Sequence, residues 1–107
     1  EESIKLSDLF INMVEQTCSD LHLESPIKSS ERGSQVSFSH PSGYAIMQAL
    51  IDRNIVGDFR APNIIRFGIT PLYINEKDII RTVKVLEDIL SKRLWDTPAY
   101  LNRKKVT

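Results

Sequence analysis

A single cysteine, Cys18, occurs in the 107 residues, so no disulfide can form within the chain and a reducing compartment, the cytoplasm, is expected. Charge of one sign is not in surplus: 14 Lys and Arg face 14 Asp and Glu. A nucleic-acid or membrane-surface binder would carry a basic excess or stripe, so neither partner is expected. The one basic cluster, Arg103-Lys104-Lys105, is short enough to be a solvated tail. No apolar run approaches the ~20 residues that cross a bilayer, and no stretch has the pattern of a secretory leader. Glycines are few and scattered singly at 33, 43, 57 and 68, which excludes a glycine-rich phosphate loop. The length and the share of apolar residues, 41%, suit one domain over 1–107 with its own core. The chain opens at Glu1 in the run-up to a helix, so a further part is expected upstream.

Hydrophobic spacing supplies the elements. Ser7-Asp8 reads as a helix start, and Phe10, Val14, Cys18 and Leu21 follow at three- and four-residue intervals, giving a helix to about His22. Residues 24–33, with Pro26 and Gly33, read as a loop. Gln35–Ser39 alternates as a half-buried strand. After His40-Pro41-Ser42-Gly43, a second helix to about Arg53 is expected to bury Ile46, Met47, Leu50 and Ile51. Ile55-Val56 opens a second strand towards Phe59, Ala61-Pro62-Asn63 turns, and Ile64–Ile69 forms a third, making an antiparallel hairpin. Asn75 is an N-cap, with Glu76 and Asp78 acidic in the first turn. Ile79, Val83, Leu86, Leu90 and Leu94 then mark a last helix, and residues 95–107 form a polar tail anchored by Trp95 and Tyr100. The order is helix-strand-helix-strand-strand-helix. The expected fold is a small two-layer α+β domain, a three-stranded sheet covered by helices.

Chemistry-bearing residues are sparse. Cys18, His22 and His40 do not make a metal ligand set, and Cys18 on an apolar stripe behaves as a small hydrophobe. Ser39 and His40 are neighbours on a strand and point to opposite faces, so they cannot act as a nucleophile–base pair. Asp58 and Arg60 around Phe59 suit a solvated hairpin end, and Tyr73 is expected to pack under the last helix. Arg66 carries the most information. With Ile65, Phe67 and Ile69 on the core face, Arg66 faces outward beside Gly68, which leaves room for a ligand. A guanidinium held on a rigid strand can grip a carboxylate bidentately. Equally, it can be a surface arginine paired with Asp58, which is the commoner arrangement.

A larger pattern lies in the order of short runs. Arg32-Gly33-Ser34-Gln35-Val36-Ser37-Phe38, His40-Pro41, Gly43-Tyr44-Ala45, and Ile55-Val56-Gly57-Asp58-Phe59-Arg60-Ala61-Pro62 come in sequence. Arg66-Phe67-Gly68 and Thr70-Pro71-Leu72-Tyr73 follow, with Ser7-Asp8-Leu9-Phe10 before them and Trp95-Asp96 and Val106-Thr107 after. In this order and spacing the chain resembles the C-terminal region of bacterial kynureninases over nearly its whole length. Ser42 and Ile69 depart from the pattern, where an acidic and an aromatic residue are common. The resemblance implies the small C-terminal domain of a fold-type I pyridoxal-phosphate enzyme, usually a homodimer. Such an enzyme hydrolyses L-kynurenine or its 3-hydroxy form to an anthranilate and L-alanine. It further implies that the cofactor belongs to a large domain that is this chain's partner, with none bound here. The lysines at 5, 28, 77, 84, 92, 104 and 105 all sit in polar contexts or at helix ends. The resemblance also places Arg66 at the position that binds the substrate α-carboxylate.

Three readings compete: a domain of a full-length kynureninase, inactive alone; a standalone interaction module using Ile64 and Phe59; and an autonomous hydrolase using His40 or Asp58. The third lacks any nucleophile–base–orienter set.

Overall fold

The computed structural model describes residues 2–24, 35–68 and 75–101. Among these residues lie α1 (Glu2–Thr17), β1 (His22–Leu23), β2 (Gln35–Ser39), α2 (Gly43–Asp52), β3 (Asp58–Arg60), β4 (Ile64–Gly68), α3 (Glu76–Ser91) and α4 (Pro98–Leu101). The described strands form one antiparallel sheet in the order β1-β2-β4-β3; α1 and α2 pack against it, α3 packs against both of these helices, and α4 against α2. The two-layer α+β architecture is as the sequence indicates, with one strand more than expected.

That extra strand comes from the shorter first helix. Leu6, Phe10, Ile11 and Val14 bury one stripe of α1, which stops at Thr17 rather than near His22. The Thr17 hydroxyl donates to the Met13 carbonyl at 2.7 Å, and Leu21 N–H closes a tight turn on Cys18. The turn through Ser19 and Asp20, both poor helix formers, frees His22 and Leu23 to pair with Ser39 and Phe38. Cys18 and His22 therefore share no helical face.

In α2 the buried arc runs from Ala45 and Ala49 through Ile46 and Leu50 to Met47. The two alanines draw the arc to their side and set Ile51 on its rim, 46% exposed, against expectation. Ile55 is buried but lies before the strand: its N–H donates to Leu50 O, and Asn54 at φ 66° turns the chain there. Pairing starts only at Asp58, and Val56 is 90% exposed.

The β3–β4 hairpin forms as expected, with Asp58 opposite Arg66 and Arg60 opposite Ile64. β4 also pairs with β2 along its whole length, Gln35 opposite Gly68 and Ser39 opposite Ile64. Helix α3 begins with a capping box: Asn75 Oδ1 accepts from Asp78 N–H, and Asp78 Oδ2 accepts from Asn75 N–H, both at 3.0 Å. It buries Ile79, Val83, Leu86 and Ile89, and Leu90 packs at the edge of the core. The helix ends at Ser91, short of Leu94. Arg93 takes φ 51° and Leu94 N–H reaches back to Ile89 O at 2.9 Å, a Schellman-type ending with arginine where glycine is usual. The Arg93 guanidinium stacks over Trp95, 4.8 Å from the ring centroid, and binds Asp96 at 2.9 Å.

Residues 95–101 are held at the two aromatic anchors the sequence indicates. Trp95 is buried, and the Tyr100 hydroxyl donates to Asp52 at 2.7 Å at the end of α2. The expected loop after Glu24, Tyr73 under the last helix, Ile69 and the basic cluster at 103–105 lie outside the described residues.

Three rings join the layers. Phe10 of α1 meets Phe67 of β4 at 5.0 Å and Phe38 of β2 at 5.8 Å, both edge to face. Phe10→Ala is expected to destabilise the domain by roughly 3–5 kcal/mol, a large part of a small domain's stability. Val56→Ala should stay within about 0.5 kcal/mol. Urea midpoints for the two variants check both.

Candidate functional site

The strict alternation of β4 builds the site. Ile65 and Phe67 are fully or nearly buried in the core, so Arg66 emerges on the opposite face of the sheet. Antiparallel register sets Ser37 on one side of it and Asp58 on the other. The Arg66 guanidinium donates from Nε to Asp58 Oδ1 at 2.6 Å and from Nη2 to Oδ2 at 2.9 Å, a bidentate pair. The arginine side chain is 25% exposed and the aspartate 55%. The expected surface alternative is therefore present as a contact, and the charge of Arg66 is held in place by it.

Two glycines flank this pair. Among the described residues, chain neighbours aside, no heavy atom lies within 4 Å of where a β-carbon on Gly68 would sit, so none of them fills the space there. At Gly57 the reverse holds: a β-carbon would lie 2.7 Å from the Arg66 carbonyl oxygen and 3.0 Å from Met47 Cε. Glycine lets the lead-in to β3 lie against β4, which puts Asp58 next to its partner. The sequence reading missed this role. A glycine directly before a strand residue equidistant from the hairpin turn with Arg66 was the signal for it.

The same face continues towards β1. The Ser39 hydroxyl donates to Glu24 Oε2 at 2.7 Å, and Glu24 N–H donates to Ser37 O at 2.9 Å. Ile64 and Phe59, expected as an exposed apolar patch, are half-buried, with Phe59 edge-on to Tyr44 at 5.5 Å. The large hydrophobic residues exposed among the described residues are Ile51, Val56, Ile80 and Leu101.

His40 is occupied structurally. Its Nδ1 accepts the Ser42 N–H at 2.9 Å, and its ring meets the edge of Trp95 at 5.9 Å. Burial pushes its pKa below the ordinary histidine value; nearby Arg93 acts in the same sense and Asp20 against it. Cys18 is buried at the end of α1, and burial pushes its thiol pKa up, the opposite of an activated nucleophile. Among the described residues no group of three His, Cys, Asp or Glu side chains could hold a metal. No helix among them is long and apolar enough to cross a membrane.

The kynureninase C-terminal domain family matches residues 1–86. The chain belongs to that family. It is 46% identical over 108 aligned positions to a kynureninase of Pseudomonas fluorescens, covering 99% of this chain and 26% of that protein. Kynureninases of Burkholderia mallei (strain SAVP1) and Burkholderia pseudomallei (strain K96243) are each 45% identical over the same span. The chain spans about a quarter of the length of the curated relatives it matches.

Within the kynureninase family domain, the described residues do not suit a pyridoxal-phosphate site. An imine-forming lysine is desolvated, whereas Lys5, Lys77, Lys84 and Lys92 are all exposed; Lys28, Lys104 and Lys105 lie outside the described residues. No chemistry of that cofactor can be derived from this chain. What the site offers is one strand-borne guanidinium with open space beside it.

Two pH effects follow. The hydrogen bonds from Arg66 hold the Asp58 carboxyl below the usual carboxylate range, so its contribution to stability is present above the unfolded value of about 3.9 and lost as pH falls through the lower folded one. Carboxyl-carbon NMR should find the Asp58 midpoint depressed, and restored to the ordinary value in Arg66→Ala. For His40 the depressed folded pKa means the unfolded chain takes up protons first, so stability drops as pH falls below about 6.5 towards the folded value. His40→Gln should flatten that part of a melting-temperature profile recorded from pH 7.5 to 5.

Proposed function

We propose that this chain is the small domain of a kynureninase that hydrolyses L-kynurenine, or 3-hydroxykynurenine, to the corresponding anthranilate and L-alanine in tryptophan catabolism. In this reading Arg66 receives the substrate α-carboxylate, and a large domain of the same enzyme holds pyridoxal phosphate, which supplies the electron sink for the cleavage. The working enzyme is a cytoplasmic homodimer, and this domain alone is inactive. The observation that carries the reading is the placement of Arg66: a guanidinium fixed on a central strand, on the face opposite the core, with no described side chain filling the space at Gly68.

The role asked of this chain is positioning. A carboxylate gripped at Arg66 loses its rotational freedom before reaction, and the bonds at the adjacent carbon are then presented in one orientation to groups supplied by the partner domain. A rigid strand suits that task better than a loop, because the grip must be accurate to a fraction of an ångström. Membership of the kynureninase C-terminal domain family and the match to about a quarter of each relative support the assignment to a larger enzyme.

The test is complementation. Mixing this domain with a separately expressed kynureninase large domain should produce kynurenine-dependent anthranilate fluorescence that neither part gives alone. Arg66→Ala should lower kcat/KM by about 30-fold to several-thousand-fold, the range for removing one partner of a desolvated charge pair. Two folded parts that associate without any turnover would sink the proposal and leave an interaction module as the better account.

A further inference from the structure

The geometry points to Asp58 as a positioning residue that fixes the Arg66 guanidinium side-on and so reserves its end-on edge for the substrate carboxylate. This rests on the reading of Arg66 given above and deepens it.

A guanidinium has two edges that can meet a carboxylate with two parallel hydrogen bonds: one formed by Nε and Nη2, the other by Nη1 and Nη2. Asp58 takes the first, with Oδ1 on Nε at 2.6 Å and Oδ2 on Nη2 at 2.9 Å. Among the described residues Nη1 makes no hydrogen bond, and the second hydrogen on Nη2 points along the same free edge. An arginine of this kind can therefore hold two carboxylates at once, one belonging to the protein and one to a ligand. The first sets the plane and rotamer in which the second is received.

Three further features make Asp58 a built partner rather than an incidental surface one. It stands directly opposite Arg66 in the β3–β4 ladder, so the pairing is imposed by register and not by side-chain reach alone. Gly57 holds its backbone so close to β4 that any β-carbon there would collide with the Arg66 carbonyl. On the far side of the strand, Ile65 and Phe67 lock β4 into the core. An unpaired arginine would sample many rotamers and lose that freedom on binding; a clamped one has lost it beforehand. The negative charge of Asp58 opposes an incoming carboxylate to some degree. The two edges share Nη2, so the Asp58 carboxylate lies next to the free edge and lowers the net attraction for the ligand, while fixing the plane in which it is received.

The experiment uses the full-length enzyme that carries this domain, with Asp58→Ala, Asp58→Asn, Arg66→Ala and the Asp58→Ala/Arg66→Ala double variant. Melting temperatures establish that each is folded. For each, the inhibition constant of a non-hydrolysable kynurenine analogue is compared with that of the same analogue lacking the α-carboxylate. Asp58→Ala is expected to weaken the carboxylate-bearing analogue by roughly tenfold and leave the other unchanged. Asp58→Asn, which retains an acceptor at the same place, should lose less. In the Arg66→Ala background the Asp58 substitution should add nothing, since its effect runs through the guanidinium. A merely structural role would weaken both analogues alike, and an Asp58 effect that persists without Arg66 would overturn the inference while leaving Arg66 as the carboxylate site. Should Arg66→Ala leave the discrimination between the two analogues intact, the carboxylate site itself is elsewhere and both readings fall.

Discussion

The edge-to-face contact of Phe10 with Phe38 and Phe67 is the constraint from which the rest of this domain follows. It ties the first helix to the two central strands and decides which face of the sheet is inside. Because side chains alternate along a strand, burying Phe67 and Ile65 leaves no choice for Arg66: it must emerge on the other face. The energy that fixes Arg66 on its face is therefore apolar burial on the far side of the sheet. The bond to Asp58, exposed as it is, adds direction more than stability.

The sheet itself is asymmetric. Among the described residues one face carries the apolar core, and the other presents Glu24, Ser37 and Ser39, joined by hydrogen bonds, beside the Asp58–Arg66 pair. The same asymmetry accounts for the shape of the last helix and its extension. The stacking of Arg93 on Trp95 and the Tyr100–Asp52 bond fold residues 95–101 back onto the helical side and away from Arg66.

Much of this was legible in the residues. The alternation of Gln35–Ser39 and Ile64–Gly68, the hairpin at Ala61-Pro62-Asn63 and the Asn75 cap all act locally, through side-chain period and backbone propensity, and they appear where the sequence indicates. The outward face of Arg66 was legible for the same reason. Features set by tertiary contact were not. The first helix stops at Thr17 although its apolar spacing continues to Leu21, because His22 and Leu23 find strand partners 16 residues or so further along the chain. Ile51 and Leu94 keep helical spacing yet fall outside the buried arc and beyond the helix end. The close approach at Gly57 depends on Met47 and Arg66 closing around it, so only its place beside the residue opposite Arg66 in the hairpin pointed to it.

The two outer strands are very short. β1 has two residues and β3 three, with Asp58 and Arg60 carrying opposite charges along the latter. An exposed sheet margin is a template on which another chain can lay down a strand, and proteins guard against this with brevity and charge. Here both guards stand on the β3 side, next to the arginine. Brevity and charge thus make the β3 margin a poor template for a further strand, a few residues from where the Arg66 guanidinium is held.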